Sequence, residues 1–128
     1  MVTYSPLTQP DKDEWLESPE FDRIDAVRDF HESSIDDDFE EEGALAIHSS
    51  LHVIVENQLA LGVEFIPETV AKLTRQGLDR HEAIHAIGAI ISEDIFDIMR
   101  SEKTEFSAKQ YRKKLEKITA KRWRKGQV

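Results

Sequence analysis

The sequence predicts an all-α protein, a small helical bundle of about four main helices. Two long apolar segments, residues 44–61 and 79–99, have apolar residues at helical spacing and are bounded by residues that favour helix ends. No segment alternates apolar and polar side chains as a half-buried strand does. At 128 residues, the chain length predicts a single domain built around these two helices.

The first part of the chain predicts one helix between two irregular segments. Residues 1–10 contain two prolines and no periodicity, which is typical of a loose arm. Ser18 and Pro19 have the pattern of an N-cap followed by proline in the first helical turn, and they predict a helix that runs to about Glu32. The acidic residues 33–43 that follow are interpreted as a solvated linker.

The central helices have clear start and stop residues. Gly62 predicts the end of the first apolar helix, and Pro67 and Gly77 bracket a short helix after it. Asp79 is a favourable N-cap with Glu82 three residues later, which predicts a capping box at the start of the second apolar helix. The short connections favour antiparallel neighbours.

Charge divides the chain into three segments: an acidic arm with one amphipathic helix (1–43), a helical core (44–102) and a basic C-terminal helix (103–128). Residues 11–42 contain fifteen acidic and three basic side chains, whereas residues 109–125 contain nine basic and one acidic. Such ends attract each other or a charged protein partner. The apolar helices and the modest core also predict a homodimer.

Composition excludes several functional classes. The chain has no cysteine, which removes disulfides and thiolate zinc sites and fits a reducing cytoplasm, where we expect the protein. No apolar run predicts a signal peptide or a membrane span. Tyr111 and Trp123 are interleaved with lysines in the basic helix, a pattern found in nucleic-acid binding, but the net charge of −9 argues against that partner.

Two HxxxH pairs on the two apolar helices are the strongest indication of chemistry. Histidines four residues apart stand on one helix face and can reach one ion. If the two helices face each other, four imidazoles and one or two carboxylates converge, which suits zinc, iron, manganese or nickel. A polar seam without metal is the alternative interpretation. The candidate ligands are His48, His52, His81, His85, Glu93 and Glu56.

Two further histidine patterns carry less weight. The segment HEAIH, residues 81–85, matches the zinc-peptidase motif in which the glutamate, here Glu82, is the general base. However, Glu82 has a role in the capping box, Ile91 occupies the third-histidine position, and the chain predicts no sheet to hold a peptide substrate. His31 stands alone at the end of its helix and is predicted to be structural.

Residues 47–115 resemble a bacterial family of short uncharacterised proteins, the domain of unknown function eighteen forty-one. Its pattern has an HxxxH pair and a glutamine, a short helix, a second HxxxH pair, and then a glutamate and an arginine. Asn57 departs from it, because family members often have an acidic residue there. The resemblance implies a compact helical fold and no particular activity. The matching residues are His48, His52, Gln58, His81, His85, Glu93 and Arg100.

The sequence therefore favours a helical protein that binds a transition metal through its HxxxH pairs, in a regulatory or storage role. A small metal-dependent hydrolase or oxidoreductase is the first alternative, with Glu82 as the catalytic residue of a hydrolase. An enzyme of that kind needs an open coordination position and a substrate pocket. A metal-free interaction module that uses its charged ends is the second alternative.

Overall fold

The computed structural model describes residues 3–33, 42–99 and 107–128. These residues form seven helices and no strand, so the predicted all-α class is confirmed. The chain folds as two compact units, Met1–Val63 and Glu64–Val128. In the described part of the chain, none of the helices combines the length and the apolar character that a bilayer crossing requires. The helices are α1 (Lys12–Glu17), α2 (Glu20–Ser33), α3 (Glu42–Leu61), α4 (Ile66–Arg75), α5 (Arg80–Met99), α6 (Ala108–Lys117) and α7 (Ala120–Arg124).

In the first unit, α1 and α2 both pack against α3. Asp11 starts α1, because its carboxylate accepts a hydrogen bond of 2.9 Å from the Glu14 N–H, as an N-cap does. Trp15 is fully buried at the centre of the unit and packs with Val27 and Val53. The segment around Trp15 is therefore a helix, and it places this indole in the core.

Two glycines end helices as predicted. At the end of α3, Gly62 adopts the left-handed φ of 67° that glycine tolerates at no steric cost. Its N–H donates to the Leu59 carbonyl, and the Val63 N–H donates to the Gln58 carbonyl, the bond pattern of a Schellman motif. Gly77 closes α4 with the same pattern, so both stops are specified by local sequence alone.

The second unit is built around α5, which packs against α4 and α6. Asp79 caps α5 as predicted, because its carboxylate accepts from the Glu82 N–H at 2.8 Å. Ile84, Ile87 and Ile90 are almost completely buried and fall on one side of the helix. Because they are three residues apart on one side of α5, these side chains pack together in the core of the unit.

The basic C-terminal segment forms two helices, α6 and α7, where the sequence predicts one. Ile118 and Thr119 between them have extended backbone, and the Thr119 hydroxyl caps α7 by accepting from the Arg122 N–H. The Ala120 N–H at the start of α7 donates to the Gln76 side chain at 2.8 Å. The break is thus stabilised by a tertiary hydrogen bond from the end of α4.

The end of α6 is held by a lysine from α4. The Lys72 ammonium donates to the carbonyls of Leu115 and Glu116 near the end of α6, where a cation is favoured. Burial lowers the pKa of Lys72, and the nearby Glu116 carboxylate opposes that change.

The division of the chain into three segments by charge, which the sequence predicts, stays a prediction. The acidic residues 34–41, Arg100 and the polar break at 101–105 lie outside the described residues.

Candidate metal centre

Three histidines converge in the first unit. His31 lies in the last turns of α2, and His48 and His52 lie one turn apart on α3. Each has a ring nitrogen within 4.8 Å of a ring nitrogen of the other two. The ring centroids of His31 lie 4.6 Å from those of both His48 and His52. His31 and His52 are buried and His48 is half-buried, so this cluster is largely shielded from solvent.

The cluster follows from helix geometry and from the packing of α2 on α3. Residues four apart on a helix present side chains on one face, which brings His48 and His52 to centroids 4.8 Å apart. The packing of α2 against α3 then adds His31 to this pair. Two consecutive helices are thus enough to gather three imidazoles, and they do so inside a single compact unit.

The hydrogen bond of the His31 ring determines which of its nitrogens is available. Its Nδ1 lies 2.8 Å from the Val27 carbonyl oxygen, which can only accept a hydrogen bond. Nδ1 therefore carries the proton, and in the neutral ring Nε2 holds a lone pair. A backbone carbonyl on the far nitrogen is a common way to orient a metal-binding histidine.

The Nε2 atoms of His48 and His52 face each other at 3.1 Å. Two nitrogens bound about 2.0–2.1 Å from a tetrahedral zinc ion lie about 3.3 Å apart. The observed separation is close to that value and also allows a hydrogen bond from one ring to the other. The distance between the two nitrogens is therefore compatible with binding of one ion.

Glu56 and Tyr4 lie behind His52, on the side opposite His48. The Tyr4 hydroxyl donates to Glu56 Oε2 at 2.6 Å and lies 3.0 Å from His52 Nδ1. Glu56 is fully buried. Glu56 therefore contacts Tyr4, which in turn contacts the predicted ligand His52. A carboxylate in this position can help to orient a histidine ligand.

The second unit brings together the other predicted pair. His81 and His85 have ring centroids 4.3 Å apart on α5, and both are half-buried. One oxygen of Glu82 lies 3.7 Å from His85 Nδ1, and the other accepts a hydrogen bond of 2.7 Å from the Trp123 indole. These contacts give Glu82 a structural role beside the pair and engage the carboxylate that a peptidase would need as its base.

Glu93 lies apart from the histidine pair on its own helix. It is exposed, and its charge contributes to raising the pKa of Lys114 on α6. Eight residues separate it from His85, which corresponds to about 12 Å along a helix axis. One ion cannot readily be reached from both positions, so this geometry favours a surface role for Glu93.

The sequence does not predict the contacts of two residues at this site. His31 was predicted to be structural and Tyr4 to lie on a loose arm, but His31 joins the imidazoles and Tyr4 bonds to two of the buried residues. A signal for His31 exists in the sequence, because consecutive helices that pack together can place the end of one beside the start of the next. Nothing in the sequence around Tyr4 indicates its contacts.

No family model, curated protein or solved structure matches the chain. The resemblance to the domain of unknown function eighteen forty-one therefore stays a prediction. The candidate site consequently depends on the chemistry of its own side chains.

Proposed function

We propose that this protein binds a divalent transition metal, and that the Nε2 atoms of His31, His48 and His52 are its ligands in the first unit. The observation that supports the proposal most directly is the convergence of three largely buried imidazoles from two helices. The Nδ1 atom of His31 is hydrogen-bonded to a backbone carbonyl. The Nε2 atoms of His48 and His52 are separated by nearly the distance expected between two ligands of one ion.

The donor set favours zinc, nickel or iron among the metals that the sequence suggests. Neutral imidazole nitrogens suit these three ions, whereas manganese prefers carboxylate and carbonyl oxygens. Glu56 Oε2 accepts a hydrogen bond from Tyr4, and the described side chains that lie close enough together to hold an ion are all histidines, so the proposed ligands are nitrogens alone. Three protein ligands on such an ion leave at least one coordination position for a further group.

The first test is the metal content of the protein, purified without an affinity tag and without added metal. We expect near-stoichiometric zinc, nickel or iron by elemental analysis, and uptake of one of these ions after chelation. His31→Gln and His52→Gln should each weaken binding more than about tenfold, because losing a ligand costs at least as much as losing a partner that orients one.

The matched control is Glu32→Gln. Glu32 follows His31 in the chain, but it is exposed and pairs with Arg28 at 3.3 Å. Its substitution should leave the metal affinity unchanged. A wild-type protein that takes up no metal, or His31→Gln and His52→Gln variants that bind it with unchanged affinity, would contradict the proposal.

The contribution of His81 and His85 is tested separately. The sequence predicts that both HxxxH pairs hold one ion, and this stays a prediction. If both pairs hold one ion, His85→Gln should weaken metal binding as much as His52→Gln does, and the chain should bind one ion. An unchanged affinity in His85→Gln would assign the ion to the first unit alone.

A further inference from the structure

We infer that Tyr4 is a positioning residue of this centre: its hydroxyl connects the buried Glu56 carboxylate to His52 and holds that ring with Nε2 directed at the ion. The presence of an ion in this inference rests on the proposed function. The hydrogen-bonded chain Glu56–Tyr4–His52 is a property of the metal-free protein and can be tested without metal.

Counting protons gives the direction of each hydrogen bond. A tyrosine hydroxyl has one hydrogen, and Tyr4 donates it to Glu56 Oε2 at 2.6 Å. The contact of 3.0 Å between the Tyr4 oxygen and His52 Nδ1 must then be a bond donated by His52. Nδ1 therefore carries the proton, and the lone pair of the neutral ring is on Nε2, the atom that faces His48.

Packing fixes the hydroxyl in this position. The Tyr4 ring lies against Trp15, with centroids 5.7 Å apart, and meets Phe30 edge-to-face at 6.3 Å. Trp15 is itself fully buried and anchored by a hydrogen bond from its indole to Asn57. The phenol thus has little freedom to rotate away, which is what a group that orients a ligand requires.

The chain should affect metal affinity as well as ring orientation. Histidine ligands that donate their second N–H to a carboxylate become more basic, and here one hydroxyl stands between the two groups. Because Glu56 and His52 are both buried, hydrogen bonds in this chain act in a low local dielectric, where they are stronger than in water. The positive charge of a bound ion is then partly balanced by a carboxylate that does not touch it.

The experiment is ¹⁵N NMR of the histidine rings in the metal-free full-length chain, followed by zinc titration. In the wild type we expect both His52 and His31 as the tautomer protonated on Nδ1. Tyr4→Phe should leave His31 unchanged, because its proton is held by the Val27 carbonyl, and should convert His52 to a mixture of tautomers. Zinc affinity should fall about 10–100-fold in the same variant.

A second variant separates charge from position. In Glu56→Gln the amide oxygen can still accept from Tyr4, so the His52 tautomer should persist while the affinity falls. A His52 ring protonated on Nε2 in the wild type would overturn the inference, as would an unchanged zinc affinity in Tyr4→Phe. If His52 has the expected tautomer but wild-type protein binds no metal, the proposed function fails and the hydrogen-bonded chain stands.

Discussion

One amide side chain connects all three helices of the first unit. The Asn57 oxygen on α3 accepts hydrogen bonds from the Trp15 indole on α1 at 2.9 Å and from the Arg23 guanidinium on α2 at 3.0 Å. Arg23 also donates to the backbone carbonyls of Leu16 and Ser18 near the end of α1. The residue at which the chain departs from the resembled family pattern is therefore a structural acceptor.

Removing that acceptor should destabilise the first unit. Asn57→Ala leaves the Trp15 and Arg23 donors without their partner, and we expect the free energy of unfolding to fall by about 1–3 kcal/mol. The measurement is urea denaturation followed by circular dichroism. Asn57→Asp is the control, because a carboxylate oxygen can accept both bonds and pairs with the arginine. A loss in the aspartate variant equal to that in the alanine variant would contradict this role.

An ion pair links α5 and α6 in the second unit. The Lys114 ammonium lies 3.0 Å from a carboxylate oxygen of Asp94, whose side chain is buried. Burial alone would lower the pKa of Lys114. The hydrogen bond and charge of Asp94, with smaller contributions from Glu93 and Asp97, outweigh burial and raise that pKa. The proton of the Lys114 ammonium is therefore bound more tightly in the folded chain than in the unfolded one.

Breaking the pair from the lysine side should cost stability. Lys114→Met removes the Lys114 cation from beside the buried Asp94 carboxylate. Because Lys114 is itself partly exposed, we expect a loss of about 1–3 kcal/mol, below the 3–5 kcal/mol typical of fully buried pairs. Adding Asp94→Asn should recover part of this loss, which chemical denaturation of the single and double variants measures. A double variant less stable than Lys114→Met would exclude this interpretation.

The same pair predicts a change with pH at the alkaline end. Since the folded-state pKa of Lys114 is raised, its stabilising contribution is complete below the ordinary lysine value of about 10.5 and is lost as pH rises through the higher folded value. The difference in unfolding free energy between wild type and Lys114→Met should therefore shrink above that pH. A difference that stays constant through this range would contradict the assignment.

The helix boundaries show which features of an element can be predicted from the local sequence. Asp79, Gly62 and Gly77 act through neighbours a few residues away, and all three boundaries were predicted correctly. The break between α6 and α7 contains neither glycine nor proline. It depends on Gln76, which lies far away in the sequence and bonds to the Ala120 N–H, so local patterns could not indicate it.

At the candidate site, as at the helix boundaries, local features can be predicted from the sequence and tertiary contacts cannot. The HxxxH pairs were predictable, because helical spacing alone brings their rings together. The connection from Tyr4 to Glu56 joins residues 52 positions apart, and only the packed fold creates it. Sequence reasoning thus identified the local pairs of the candidate site and missed the contacts that depend on tertiary structure.

Each unit contains one tryptophan that can report on its own histidines. Trp15 packs against Tyr4 in the first unit, and the Trp123 indole donates a hydrogen bond to Glu82 in the second. In Trp123→Phe, nickel should quench the remaining Trp15 emission, and adding His52→Gln should move that quenching to a nickel concentration more than about tenfold higher. The absence of quenching from a protein shown to bind nickel would count against the first-unit site.

The reciprocal variant, Trp15→Phe, addresses the predicted sharing of one ion. If both HxxxH pairs hold it, Trp123 emission in this variant should change and reach its end point at one equivalent of nickel, as Trp15 emission does in Trp123→Phe. Different end points for the two tryptophans, or an unchanged Trp123 emission, would contradict the shared ion. Circular dichroism of both variants checks that each retains its helices, because Trp15 is fully buried.

The position of His31 opposite His48 and His52 has a further consequence for a chain without cysteine. An ion held by these three residues would be a reversible cross-link between α2 and α3. At a hundredfold excess over Kd, such a ligand adds about 2.7 kcal/mol to folding. A chelator would then act on this unit as a reductant acts on a disulfide.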